Sequence, residues 1–200
     1  MTKMLWQSRA IALWTALAVI CCTAANAQTQ AQAQKKPAAK PTATAKPASG
    51  PTAQAVLLGQ FGDWGAYTAS PDGKKVCFAL SKPTSAVIVP SNRKRDPSYA
   101  FVSTRPAEKV KNEVSVIVGY PQKPGVDATA TIGSATYVMY TQNDGAWIKN
   151  AAEEAQMVET MRKGSDMVVK SESHSGAKTT DTYSLKGLGQ ALDKVAEECK

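Results

Sequence analysis

The 200-residue sequence predicts a mainly β fold, a β-sandwich or a partly open barrel, with one internal helix and one C-terminal helix. Three observations predict it. Short strand-like runs recur between residues 56 and 185, and turn-forming residues separate several of them. Only residues 150–163 and 188–199 carry apolar residues at helical spacing. Many short strands with few helices are typical of sandwiches and barrels.

Strands are expected wherever apolar or alternating residues run between turn signals. These stretches are residues 56–67, 75–80, 86–89, 99–103, 114–119, 129–132, 136–141, 146–148, 166–172 and 178–185. Pro71-Asp72-Gly73 has the composition of a turn, and Asn143-Asp144-Gly145 predicts a hairpin. Within residues 75–80, alternation places Cys77 on the face opposite to Val76 and Phe78.

Each predicted helix has its own signals. Asn150 is a good N-cap with Glu153 three residues on, as in a capping box, and Gly164 is placed to end the first helix. The core stripe expected there is Ala151, Ala155, Val158 and Met161, while Glu153, Glu154, Glu159 and Arg162 are expected in solvent. In the second helix the stripe is Leu188, Leu192, Val195 and Cys199, which turns Cys199 toward the sheet.

Residues 1–27 are predicted to be a cleavable signal peptide. Lys3 and Arg9 precede the apolar residues 11–22, and Ala25-Asn26-Ala27 forms a small-x-small cleavage site. A membrane anchor would need roughly 20 apolar residues, and a lipoprotein signal would need a small residue rather than Ile20 before Cys21. We therefore expect an exported protein, located in the periplasm or at the outer envelope.

Residues 28–54 are predicted to be a disordered tether, and residues 55–200 a single domain. The tether is rich in Ala, Gln, Lys, Pro and Thr, and has no acidic or aromatic residue. Such a composition cannot offset the entropy of ordering the chain. The tether is interpreted as a spacer, and the alternative is a basic arm that contacts an anionic envelope surface.

The net charge of +8 does not indicate a nucleic-acid partner. Residues 55–200 hold 18 Lys and Arg residues against all 16 acids, so the excess of basic residues lies in the first 54 residues. A nearly neutral domain lacks the cationic surface that phosphate binding requires.

Two cysteines remain after cleavage, Cys77 and Cys199. In an oxidising compartment such a pair predicts an intramolecular disulfide; two free thiols or an intermolecular bridge are the alternatives. Neither has a neighbouring Cys or His, so no metal site is expected.

No catalytic residue, cofactor or metal is predicted. The only histidine, His174, falls at a probable hairpin tip, and no phosphate loop, dinucleotide fingerprint or metalloprotease motif occurs. One candidate partner-binding site is the basic loop Arg93, Lys94 and Arg95, for which a solvated connection is the alternative. Trp64 and Trp147 are interpreted as core anchors.

Several segments together resemble a known family. They are Phe61-Gly62-Asp63-Trp64, Lys75-Val76-Cys77, Asp96-Pro97-Ser98-Tyr99, Asn112-Glu113-Val114-Ser115, Asp144-Gly145-Ala146-Trp147-Ile148, Met161-Arg162-Lys163-Gly164, and Tyr183-Ser184-Leu185-Lys186-Gly187-Leu188 with the closing Cys199. Over residues 58–200 the chain resembles the invasion-associated locus B family of α-proteobacterial exported proteins. The resemblance implies an immunoglobulin-like β-sandwich in the periplasm or envelope, in a family named for members linked to host-cell invasion. It brings no catalytic residues.

Two functions are therefore considered. The first is a non-catalytic binding or structural module of the cell envelope whose partner is an envelope protein or glycan. The alternative is a periplasmic enzyme, or an inhibitor of one, whose site has no linear motif.

Overall fold

The computed structural model describes residues 55–200, so the predicted signal peptide (1–27) and tether (28–54) lie outside the described residues. The described chain forms eleven strands and two helices. The strands are β1 (Val56–Phe61), β2 (Trp64–Ala69), β3 (Val76–Ser81), β4 (Ser85–Val89), β5 (Tyr99–Arg105), β6 (Val110–Ile117), β7 (Ala128–Ile132), β8 (Ala135–Gln142), β9 (Gly145–Ile148), β10 (Asp166–Glu172) and β11 (Lys178–Ser184). The helices are α1 (Glu154–Lys163) and α2 (Leu188–Glu198).

All eleven strands belong to one sheet, in the order β1-β2-β3-β5-β6-β9-β8-β7-β10-β11-β4, and the paired strands are antiparallel. Strands β3 and β4 are far apart in this order, yet only residues 82–84 connect them. The sheet must therefore curve back on itself, which produces a sandwich-like form. The predicted mainly β class, with one internal and one C-terminal helix, is confirmed.

The strand predictions differ from the structure mainly at two places. Residues 56–67 form a hairpin rather than one passage, because Gly62 adopts φ +54° between β1 and β2. Strand β6 begins at Val110, before the predicted apolar run, since its polar first half still pairs with β5.

The β1–β2 turn, near one end of the strand order, contacts the end of β11, near the other end. The amide of Asp63 donates to the carbonyl of Lys186 at 3.0 Å, and Trp64 Nε1 donates to the carbonyl of Ser184 at 2.9 Å. Gly187 lies at the closest approach: its φ is +90°, and a Cβ there would lie 1.9 Å from the carbonyl oxygen of Phe61. Only glycine accommodates both the left-handed conformation and this contact.

The inner face of the sheet carries the core and is covered by both helices. Helix α2 packs on β2 and β3, and buries Leu188, Ala191, Leu192 and Val195. A disulfide joins Cys77 on β3 to Cys199 at the end of α2, with a Cα–Cα distance of 5.9 Å. The structure therefore contains the predicted C-terminal helix and the predicted disulfide that links it to β3.

The buried face of α1 matches the prediction in part. Val158 and Met161 are buried as predicted, whereas Ala151 and Ala155 are exposed and Met157 is buried instead. Ala151 lies in a 3-10 turn of residues 151–153, before the α-helix begins. Burial of Met157 also removes more apolar surface from water than burial of an alanine would.

Asn150 is an N-cap as predicted, but it caps the 3-10 turn that leads into α1, and one solvent prediction is wrong. Asn150 Oδ1 accepts a hydrogen bond from the amide of Ala152 at 3.2 Å. Glu154 is half-buried, and its Oε1 accepts a hydrogen bond from the amide of Val114 at 2.8 Å. Among residues 55–200, neither helix is long and apolar enough to cross a lipid bilayer.

Candidate functional site

The outer face, defined as the side of the sheet turned away from the disulfide and both helices, carries a band of aromatic residues. Side chains alternate along a strand, so Cys77 points to α2 and Phe78 points away from it. The strand register then places Phe101 opposite Ser115, and Ser115 opposite Trp147. A serine consequently lies between two aromatic side chains on neighbouring strands.

The aromatic side chains of the outer face support one another. Tyr67 stacks on Phe78 with ring centroids 5.4 Å apart, and Phe78 meets Phe101 at 5.8 Å in a tilted arrangement. On the other side of Ser115, Tyr140 stacks on Trp147 at 5.6 Å. Stacked and tilted pairs of this kind are favourable beyond the area that they bury, so the rings are held in position before any ligand arrives.

Gly145 fixes the indole of Trp147. A Cβ at this position would lie 2.2 Å from the Trp147 ring, which therefore lies directly against the backbone of its own strand. Tyr140 covers the indole from the β8 side, and the indole borders the groove on the β6 side. The orientation of this ring is thus determined by two neighbours.

The outer face forms a groove of about 310 Å³ that is open to solvent and extends from the end of β2 and from β3, across β5 and β6, to Trp147 on β9. Phe78 and Ile117 add apolar walls, and Ser103 and Ser115 contribute hydroxyl groups. Neither hydroxyl forms a hydrogen bond with another described residue, although Ser115 is only 8% exposed. The groove therefore combines aromatic walls with two polar groups that are available to a ligand.

An ion pair closes one end of the groove. Arg105 makes two hydrogen bonds to Glu113, both at 2.9 Å, and its Nε donates to Glu108 at 2.6 Å. The hydrogen bonds with Glu113 contribute most to raising the pKa of Arg105 above its ordinary value, so this group stays charged. Because two carboxylates share this one guanidinium, Arg105 offers no free positive charge to a ligand in the groove.

The structure separates the predicted basic loop into two parts. Arg93 and Lys94 are exposed, and their role in partner binding stays a prediction. Arg95 is not available to a partner, which corrects that part of the prediction: its guanidinium is 10% exposed and forms a two-bonded ion pair with Asp181. It also donates to the carbonyl of Val118 at 3.0 Å.

The cluster around Asp181 anchors this loop to the sheet. Ser98 Oγ donates to Asp181 at 2.8 Å and lies next to the hydroxyl of Tyr183, whose pKa is raised above its ordinary value chiefly by burial. Asp181 is 1% exposed and Tyr183 is fully buried. A substrate could not reach these groups without opening the fold, so we assign them a structural role. Sequence reasoning missed the pair because Arg95 and Asp181 are 86 residues apart.

Three other residues singled out from the sequence have clear positions. His174 is exposed at the β10–β11 turn, as expected, and Trp64 is fully buried, as expected of a core anchor. The prediction for Trp147 is wrong, since its side chain lies half-buried on the outer face. Within residues 55–200, no three His, Cys, Asp or Glu side chains are grouped as a metal site would require.

Comparison with known proteins identifies the family. No curated protein and no solved structure matches this chain. The family described as "Invasion associated locus B (IalB) protein" matches residues 64–196, from the first residue of β2 into α2. This span includes Cys77, the Arg95–Asp181 pair and the whole aromatic groove. The chain therefore belongs to the invasion associated locus B family.

Proposed function

We propose that this protein is a non-catalytic binding module of the cell envelope, and that it binds its partner, an envelope protein or glycan, through the aromatic groove. The observation that carries the proposal is the groove itself. It joins half-buried aromatic rings to two hydroxyls that have no hydrogen-bond partner in the described part of the chain, on a face that neither helix covers. Exposed apolar surface that is rimmed by polar groups is typical of an interaction site.

The groups that line the groove favour binding over catalysis. A general acid or base must exchange protons near the working pH. Arg105 holds its proton more firmly than a free arginine, and both oxygens of Glu113 accept hydrogen bonds from it. The pKa of Glu154 is also raised, mainly by burial, but this carboxylate bonds to the backbone of β6 instead of lining the groove.

The proposed location rests on the N-terminal sequence and on the disulfide. The features of residues 1–27 favour export, and the Cys77–Cys199 bridge suits an oxidising compartment such as the periplasm. Residues 28–54 would tether the domain to the envelope or act as a basic arm on an anionic surface. The family description refers to invasion, and a host-interaction role for this chain is proposed only as one context in which the same groove would act.

The test is co-sedimentation of the purified chain with isolated cell envelopes. We expect the wild-type chain to sediment with the envelopes and the Trp147→Ala variant to remain largely in the supernatant. Val87→Ala serves as the control, because Val87 is 51% exposed on β4 and lies outside the groove. The supernatant is also analysed by mass spectrometry for released envelope fragments.

Two results would contradict this proposal. Equal sedimentation of wild type and Trp147→Ala would exclude the groove as the binding site. Fragments that accumulate with time in the presence of the wild-type chain would favour the enzyme alternative over a non-catalytic module.

A further inference from the structure

We infer that the groove binds an uncharged glycan, with a sugar ring held between Phe101 and Trp147 above Ser115. The inference rests on the binding function proposed above and adds the chemical class of the ligand. It follows from four properties of the groove: the spacing of its aromatic walls, its two serine hydroxyls, its position on the face of the sheet, and the pairing of its lining cation with carboxylates.

The aromatic walls fit a flat ring with an apolar face. Phe101 lies on β5 and Trp147 on β9, and β6 separates them, so their backbones are two strand spacings or about 10 Å apart. Tyr140 already stacks on Trp147 from the β8 side, which leaves the groove side of the indole for a ligand. The C–H groups of a sugar ring carry partial positive charge and are attracted to the negative face of an aromatic ring.

The serine hydroxyls favour a ligand that is polar at its edge. Ser103 and Ser115 lie in the groove and make no hydrogen bond to another described residue. A hydroxyl that loses water without gaining a partner opposes binding. An acyl chain would cover both hydroxyls and satisfy neither, whereas sugar hydroxyls and acetamido groups can both donate to them and accept from them.

The position of the groove on a sheet face disfavours an extended peptide. Peptides that bind to sheets do so mainly by adding a strand at an open edge, where backbone groups are unpaired. The groove lies over β3, β5, β6 and β9, each of which has a hydrogen-bonded neighbour on both sides. A peptide backbone would therefore find few partners other than the two serine hydroxyls.

The charge of the lining distinguishes neutral from anionic glycans. Among residues 55–200, Arg105 is the one cation in the lining of the groove, and both Glu113 and Glu108 pair with it. A uronic acid or phosphate group would meet no free positive charge, and the carboxylate of Glu113 would repel it. An uncharged sugar is the better match.

The test measures binding of defined tetrasaccharides by calorimetry, using β-1,4-linked glucose, β-1,4-linked N-acetylglucosamine and a tetragalacturonate as the anionic probe. We expect saturable binding of at least one neutral probe and at least tenfold weaker binding of the anionic one. Trp147→Ala should weaken neutral binding at least tenfold, and Ser115→Ala about three- to tenfold. Gly145→Ala should also weaken it, because the added Cβ displaces the indole while every lining side chain is kept. Val87→Ala should bind as the wild type does, and thermal unfolding of each variant verifies that it is folded.

The envelope assay separates this inference from the function on which it rests. If glycans are bound, periodate oxidation of the envelopes should abolish Trp147-dependent sedimentation, and protease treatment should leave it intact. The opposite pattern would show a protein partner, which overturns the glycan inference and preserves the binding function. Saturable binding of the anionic probe alone, or of no probe, would likewise overturn the inference. If wild type and Trp147→Ala sedimented equally with untreated envelopes, both the glycan inference and the proposed binding function of the groove would be contradicted.

Discussion

Removal of the disulfide offers the most direct test of how this domain is stabilised. The perturbation is the double substitution Cys77→Ala and Cys199→Ala. Alanine is preferred to serine because Cys77 is fully buried and Cys199 is 8% exposed, so a hydroxyl at either position would itself cost stability. The double variant removes the covalent link while the apolar contacts of α2 stay in place.

The magnitude follows from the length of chain that the bridge closes. The two cysteines are 122 residues apart. On the chain-entropy relation, a loop of this length lowers the entropy of the unfolded chain by about 16 cal/mol/K, which is about 5 kcal/mol at 25 °C. For a domain of this size, each kcal/mol changes the midpoint of thermal unfolding by about 2–4 °C, so a decrease of about 10–20 °C is expected.

The assay is thermal and urea unfolding followed by circular dichroism. Intact mass without reductant first establishes that the wild-type chain is oxidised. Wild type measured in excess reductant serves as the matched control, because it lacks the bridge but keeps both sulfur atoms. It should lose about as much stability as the double alanine variant.

One result would refute the reasoning. If the oxidised wild type and the double variant differed by less than about 1 kcal/mol, the bridge would not constrain the unfolded chain as calculated. The stability of α2 on the sheet would then have to come from its apolar contacts alone, chiefly those of Leu188, Leu192 and Val195.

Three further predictions concern two buried or half-buried carboxylates and a glycine in close contact with a neighbouring backbone. Asp181→Ala leaves Arg95 in the interior without its partner, so the free energy of unfolding in urea should fall by about 3–5 kcal/mol; a loss below 1 kcal/mol would show that the pair is dispensable. Burial raises the pKa of Glu154 above its ordinary value of 4.5, so the folded state binds this proton more tightly than the unfolded state does. The contribution of Glu154 to the free energy of unfolding should therefore decrease as the pH rises from about 4.5 toward neutrality, and this decrease should be absent in Glu154→Gln. If wild type and Glu154→Gln showed the same dependence of unfolding free energy on pH, the raised pKa would be contradicted. Gly187→Ala should destabilise by more than 3 kcal/mol in the same assay, whereas Gly176→Ala, at φ +82° but with no atom within 4 Å of its Cβ, should cost only about 1–2 kcal/mol; equal losses would mean that the contact at Gly187 has no effect.

The sequence predicted the fold class well because strands and helices have local signals. The turn residues 143–145 and the N-cap at Asn150 mark boundaries that the structure contains. On α1, Val158 and Met161 were predicted correctly. Ala151 was not, because it lies in the 3-10 turn before the helix, and Met157 rather than Ala155 completes the buried face.

The groove was not predicted because it depends on register between strands that are distant in sequence. Phe101, Ser115 and Trp147 become neighbours only when β5, β6 and β9 are paired in a particular alignment. One signal was present in β5, where Tyr99, Phe101 and Ser103 alternate with the small core residues Ala100 and Val102. Small residues on the core side of a strand and aromatic residues on its other side indicate that side chains pack on both faces of the sheet.

The order of the strands leaves an open edge at β4. Strand β4 ends the sheet, pairs only with β11 among the described strands, and exposes Val87 and Val89. An apolar edge of this kind is a template on which a strand from another molecule can add.

The residues on either side of β4 oppose such addition. Lys82 and Pro83 precede the strand, Pro90 ends it, and the exposed Arg93 and Lys94 follow. Prolines cannot extend a hydrogen-bonded ladder, and like charges on two approaching molecules repel each other. The exposed part of the basic loop, which first suggested a docking site, thus places positive charge beside an open edge of the sheet and disfavours strand addition there.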